Sequence, residues 1–217
     1  MISHDPPFVF IHIPKTAGTS IENALQADLG ALPNRKFLKN GTGKGHWFQH
    51  LTYKELKGRF PKKDLPSYFK FAFVRNPWDR VISEMIWRRR WPAHRKHCRN
   101  LETFLRAPWW KGRFSAKNRA AWGSRADVGR HIISQHKFIY DAEGSLLVDF
   151  VGRFESLEED YQFIRTSLAL EESPLPHQNK SARRRPHYTD YYNDKTREIV
   201  AERYQTDITK FEYEFGA

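Results

Sequence analysis

"FVFIHIPKTAGTS", residues 8–20, decides the fold. Six residues, five of them apolar, form a short, nearly continuous strand of the kind a parallel sheet buries on both faces. Pro14 stops it, and a lysine, a glycine and three hydroxyls follow before "TSIENALQADLG", a helix with Ile21, Ala24 and Leu25 on one side and Gly30 ending it. A strand running through such a turn into a helix makes an anion nest, in which backbone N–H groups, hydroxyls and a helix N-terminus converge on a phosphate. Gly18 allows close approach, Lys15 adds a full charge, and Thr16, Thr19 and Ser20 add donors.

The pattern occurs again in "SYFKFAFVRNPWDRVISEMIWRRR". Phe69, Phe71 and Phe73 alternate as in a strand, and Asn76 with Pro77 starts a helix that turns Val81, Ile82, Met85 and Ile86 inward. Strands alternating with helices predict an α/β domain with a mainly parallel sheet, whose ligands bind at the carboxyl ends of the strands. Both punctuated motifs lie at such ends.

Elsewhere, "QHLTYKELKGRF" has Thr52 and Glu55 at capping-box spacing, so a helix starts near Tyr53 with His50 just ahead of it. "KFIYDAEGSLLVDFVGRF" reads as two strand-like runs around a "DAEG" hairpin turn, and "SLEEDYQFIRTSL" as a helix capped by Ser156 and Glu159. "LPHQNKSARRRPHYTDYY" is a polar loop, and one amphipathic helix through Ile199, Val200 and Tyr204 leads to Ile208 and Phe211. Residues 88–129 are rich in Trp and Arg, with breakers at Pro92, Pro108, Gly112 and Gly123, and read as irregular or short helical elements.

The 217 residues, 39% of them hydrophobic, suit one sizeable core, so a single domain over 1–217 is expected. A net charge of +12 points to an anionic partner: nucleic acid, acidic lipid, acidic glycan or a polyphosphate nucleotide. Cys98 is the only cysteine, which excludes an internal disulfide and a thiolate metal cluster. No apolar run is long enough for a signal-peptide core or a membrane span, so a cytoplasmic protein is expected.

The first motif is not the ATPase P-loop, since GxxxxGK[ST] puts the lysine after its glycines. Where a kinase would carry an Asp for magnesium, "FVRNPWDR" carries Arg75. Taken together, "FVFIHIPKTAGTS" and "FKFAFVRNPWDRVIS" resemble the two signatures of sulfotransferases that use 3′-phosphoadenosine 5′-phosphosulfate (PAPS). The closest likeness is to the carbohydrate sulfotransferases of the heparan and chondroitin type and their bacterial relatives. The likeness continues in family order through "QHLTYKEL", "LLVDFVGRFESLEEDY", "LPHQNKS" and "ITKFEYEF" and breaks only over residues 88–129. It implies a P-loop-like three-layer α/β fold, with helices on both faces of the sheet.

The resemblance also implies site residues. Lys15, Thr16, Ala17, Gly18, Thr19 and Ser20 would surround the 5′-phosphosulfate, and Arg75 with Ser83 would hold the 3′-phosphate. Lys180, Ser181 and Arg183 of "QNKSARRRP" match a late loop near the nucleotide or acceptor, although a basic run is also a common solvated face. The rival reading for Arg75 is a surface ion pair with Asp79. Glu155 of "RFESL" reads as a local structural partner of Arg153 or of a backbone turn.

Sulfuryl transfer needs positioning, charge stabilisation and one base, and demands no metal. Lys15 would neutralise the bridging oxygen. Among ten histidines, "GHWFQHLTY" brings His46 and His50 together. His50 precedes a helix N-terminus, whose dipole favours a neutral imidazole, and matches the family's histidine. It is the first candidate for the base and His46 the second, while His12, inside the apolar strand, reads as structural.

Residues 88–129 are expected to be an acceptor-specificity insertion. Trp87, Trp91, Trp109, Trp110 and Trp122 among many arginines suit stacking on rings and attraction of carboxylates or sulfates, though some of them must serve a buried cap. The acceptor is a hydroxyl-bearing acidic glycan or small metabolite. A basic nucleic-acid-binding protein would account for the charge and for "WRRRW" and "ARRRP", but not for either strand-end motif. A P-loop-like kinase is the third option.

Overall fold

The opening apolar run is the second strand of a four-stranded sheet in the computed structural model, which describes residues 1–29, 50–60, 65–111, 129–170 and 185–217. The strands β1 (Ile2–His4), β2 (Pro7–Ile11), β3 (Phe69–Val74) and β4 (Phe150–Arg153) lie side by side in sequence order. β1 is antiparallel to β2, and β2–β3 and β3–β4 are parallel, so the fold is mixed α/β with a mainly parallel sheet. Phe8, Val9, Phe10 and Ile11 are completely buried, as a strand covered on both faces requires. β1 was not expected: "DPP" looks like a breaker, yet it forms the turn that returns Ile2 to pair with Val9.

The chain divides into two compact units, Met1–Val74 with Lys137–Arg183 and Arg75–His136 with Arg184–Ala217. In the first, the sheet's Phe8, Phe10, Phe71 and Phe73 pack with Ile21 and Leu25 of helix α1 (Gly18–Asp28). Tyr161 and Ile164, from a later helix over Leu157–Ser167, join the same core. Asp28 accepts hydrogen bonds from the Tyr161 hydroxyl at 2.8 Å and the Arg165 Nε at 2.8 Å, tying α1 to that helix. Gly152 is fixed by packing, because a Cβ there would stand 2.5 Å from the Phe73 ring. Helix α2 (Tyr53–Arg59) begins as expected, with the Thr52–Glu55 capping box formed.

In the second unit, α3 (Pro77–Arg88) is capped by Asn76, whose side chain accepts from the Trp78 amide at 3.1 Å, and Pro77 occupies its first turn. Val81, Ile82 and Met85 point inward as expected. Short helices α4 (Pro92–Arg95) and α5 (Leu101–Leu105) follow, agreeing with the reading of short elements after residue 88. Trp109 and Trp110 are buried in this core and Trp91 is 53% exposed, so the tryptophans do divide between packing and surface; Trp122 lies outside the described residues. Burial pushes the Cys98 thiol up to about 11, which keeps it protonated.

Three expectations are corrected. The "DAEG" turn joins no two strands: α6 (His136–Ile139) precedes it, only Tyr140 and Leu146 bridge, and β4 pairs in parallel with β3. The helix α7 (Leu157–Ser167) exists, but Ser156 does not cap it: its backbone (φ −114°, ψ 35°) leaves the extended conformation usual for a capping residue, and its hydroxyl donates to Asp160 at 3.0 Å. The last amphipathic helix is two, α8 (Asp194–Arg203) and α9 (Gln205–Lys210), interrupted at Tyr204, whose hydroxyl donates to the Ile132 carbonyl at 2.8 Å.

His94, buried beside Trp109, has its pKa pushed down to about 4, by burial first and then by Arg88. An unfolded histidine titrates near 6.5, so below that pH the unfolded chain takes up a proton that the folded one refuses. This contribution to stability is whole above about pH 6.5 and is lost as pH falls toward about 4. Thermal melts across this range should show a shallower decline for His94→Gln than for the wild type; parallel curves would contradict the assignment.

Candidate functional site

In the first unit, β2 leads through Ile13 and Pro14 into a loop where Lys15 (φ 72°) and Ala17 (φ 65°) both adopt the left-handed conformation. Neither is glycine, so each carries backbone strain that the surrounding structure must hold in place. Ala17 is the N-cap of α1 and offers no side-chain cap, and its carbonyl accepts from the Ser20 and Ile21 amides at 2.8 and 3.1 Å. Among the described residues, no backbone acceptor meets the amides of Gly18 and Thr19. Amides left so at a helix N-terminus, after left-handed turns and beside a lysine, are the donor set an anion requires.

The individual side chains differ from what the sequence suggests. The Thr16 hydroxyl is turned inward and donates to the Ile13 carbonyl at 2.9 Å, so it clamps the loop from within. Thr19 is exposed, Ser20 is buried and Lys15 is half-buried. Gly18 has a packing role: a Cβ there would lie 2.1 to 2.7 Å from three atoms of the His12 ring.

His50 is 6% exposed and itself left-handed at φ 61°. Its Nδ1 donates to the His12 carbonyl at 3.0 Å. A carbonyl can only accept, so Nδ1 holds the hydrogen and Nε2 of the neutral ring holds the lone pair, which is the tautomer of a general base. The helix that follows contributes less than its dipole suggests, because the Glu55 carboxylate already accepts from the Thr52 amide at 2.9 Å. His12, 7% exposed, stands edge-to-face with His50, with ring centroids 4.6 Å apart, and stacks on Phe10. Its Nδ1 lies 3.2 Å from a carboxylate oxygen of Glu22 of α1, without the alignment of a hydrogen bond.

The second unit carries the other anion motif. Arg75 is anchored through its backbone, whose amide donates to the Gln135 side chain at 2.9 Å and whose carbonyl accepts from it at 2.8 Å. Its guanidinium does meet Asp79, at 2.9 Å from Nε and 2.5 Å from Nη2, but the pair is buried rather than on the surface. The other Asp79 oxygen takes Arg185 at 2.5 Å. Two guanidiniums on one carboxylate leave the group positive, so the ion pair and anion attraction coexist. Ser83 follows Asp79 by four residues on the same face of α3 and is partly buried.

His46, Lys180, Ser181 and Arg183 lie outside the described residues. Sequence reasoning missed His12 as a site neighbour, since an imidazole in an apolar run carries no signal of what stands beside it. Among the described residues, no cluster of three His, Cys, Asp or Glu side chains could hold a metal ion, and no helix is long and apolar enough to cross a membrane.

Comparison with known proteins gives one family: a model described as "Sulfotransferase family" matches residues 1–214. No curated protein and no solved structure gives a match.

Proposed function

Because a match over residues 1–214 means that this chain belongs to the sulfotransferase family, we propose that it moves a sulfuryl group from PAPS to a hydroxyl of a carbohydrate acceptor, with His50 as the base. The family supports sulfuryl transfer. The observation that carries the finer reading is the loop at the end of β2, where strained Lys15 and Ala17 precede the N-terminus of α1. On this reading the mixed α/β sheet is the core of a P-loop-like three-layer fold, and the two units act as one sulfotransferase domain.

Lys15, Thr16, Ala17, Gly18, Thr19 and Ser20 would surround the 5′-phosphosulfate, with the Gly18 and Thr19 amides as its backbone donors, and Arg75 with Ser83 would hold the 3′-phosphate. When bound, PAPS supplies a sulfuryl group already attached to a good leaving group. Lys15 sets a positive charge where negative charge grows as the S–O bond breaks. His50 Nε2 takes the proton from the acceptor hydroxyl, and the Nδ1 contact with the His12 carbonyl keeps the ring in the accepting tautomer. The exposed Trp91, in edge contact with Trp87 near Arg89 and Arg90, supports stacking on an anionic sugar.

A thermal-shift comparison of adenosine 3′,5′-bisphosphate with AMP and ATP tests the reading. At about 100 times its Kd a ligand adds roughly 2.7 kcal/mol, so the bisphosphate should raise Tm clearly. A rise with ATP alone would favour a kinase.

Arg75→Ala separates the two anion motifs. It should weaken the bisphosphate by about tenfold to a hundredfold, the worth of one charged hydrogen-bond pair, and leave AMP nearly unchanged. Equal losses for the two nucleotides in calorimetry would remove Arg75 from the 3′-phosphate.

A further inference from the structure

We propose that His12 is a positioning residue: its ring sets the orientation of the His50 ring, and Gly18 and Glu22 hold His12 for that task. The inference rests on the reading of His50 as the base.

Three restraints converge on one buried imidazole. Phe10 stacks on its face with an interplanar angle of 18°, Glu22 approaches its Nδ1 at 3.2 Å, and Gly18 gives its ring the space a Cβ would fill. A residue needed only to fill the space after strand β2 requires none of these, since an aliphatic side chain would pack there without a carboxylate or a glycine. What the fixed ring then meets is His50, edge-to-face at 79°.

The backbone and side chain of residue 12 divide the work. The His12 carbonyl receives the His50 Nδ1 hydrogen and so selects the tautomer. One hydrogen bond still lets the ring pivot about its axis, and the His12 ring, standing perpendicular, blocks that pivot. Any residue at position 12 keeps the carbonyl, but without the ring beside it the His50 imidazole swings its Nδ1 off that carbonyl part of the time and the tautomer is released, so substitution reads out the contribution of the ring. A base that pivots leaves its reactive geometry, and misplacement by about 1 Å can cost about a hundredfold in rate. Gly18 opens α1 and Glu22 lies on it, so the helix that starts at the anion loop also fixes the ring beside the base.

The test uses the full chain. Imidazole ¹⁵N NMR, with the His50 signals assigned by their loss in His50→Gln, reports the tautomer. Steady-state transfer from PAPS to 2-naphthol as the probe acceptor reports kcat and KM. His12→Ala should lower kcat by about tenfold to a hundredfold with KM for PAPS little changed, and His50 should become a mixture of tautomers. His12→Phe, which keeps a planar ring beside His50 and fills the core where alanine leaves a cavity, should recover most of the rate, and Glu22→Gln should fall between the two. Gly18→Ala should shift the His50 signals when His12 is present and leave them in place in the His12→Ala background, as expected of residues acting through one contact.

A merely structural His12 would lower Tm while kcat per folded molecule and the His50 tautomer stayed as in the wild type, and that result overturns the proposal. So do independent effects of Gly18→Ala and His12→Ala. If the wild type neither binds adenosine 3′,5′-bisphosphate nor transfers sulfate, the parent reading fails; the His50 tautomer in His12→Ala then decides by itself whether His12 sets the ring.

Discussion

His50→Ala is expected to lose about 10²- to 10⁴-fold in transfer, the range for a missing general base, while binding of adenosine 3′,5′-bisphosphate stays nearly intact. The separation follows from the contacts. His50 is held by the His12 carbonyl and faces the His12 ring, whereas the loop amides that would take the phosphosulfate belong to Gly18 and Thr19. The wild-type rate should fall on the acid side as the imidazole protonates, and the variant should lack that limb. His46→Ala is the control, and a neighbour outside the chemistry costs little. A normal rate in His50→Ala with a large loss in His46→Ala would identify the other histidine; two normal rates would move the base elsewhere.

Lys15→Ala should lower kcat by about 10²- to 10³-fold, as removal of a transition-state charge partner does. Its effect on bisphosphate affinity should be smaller, because the charge is wanted most when the bridging oxygen becomes a leaving group. Alanine keeps a Cβ at the same left-handed position, so the comparison reports the loss of the lysine side chain without a change in the backbone's preference. Measured kcat and bisphosphate Kd for the purified variant check this; an unchanged kcat would take Lys15 out of the reaction.

Much of the frame could be read from residues 8–29 and 69–88, because each pairs a run of apolar residues with an unambiguous stop: Pro14 in one, Asn76–Pro77 in the other. Local rules sufficed there. They failed where a distant or competing group took the partner. Ser156 has the capping spacing, but Asp160 takes its hydroxyl and also accepts from the Arg153 amide. "DAEG" has hairpin chemistry, but the strand after it pairs with β3, which is remote in sequence.

The site was legible in the same uneven way. Lys15, Arg75 and His50 stand out as charged or titratable residues beside element ends. The packing of Gly18 against His12, the inward turn of the Thr16 hydroxyl and the buried sharing of Asp79 by Arg75 and Arg185 depend on three-dimensional neighbours that no spacing encodes.

The pairing of β3 with β4 has a consequence for how the chain is made. Phe71 lies beside Phe150, yet residues 75–136 of the second unit are synthesised between them. On the ribosome the first three strands emerge well before their fourth neighbour. The second core likewise waits for Val200 and Tyr204. Neither unit is a contiguous stretch that can finish early, so each must close over long intervening chain, an arrangement that slows folding. During that interval the β3 edge, its backbone N–H and C=O groups not yet paired with β4, is the surface most open to pairing with another nascent chain. Aggregation pressure on this protein therefore falls on its synthesis, before β4 has closed that edge.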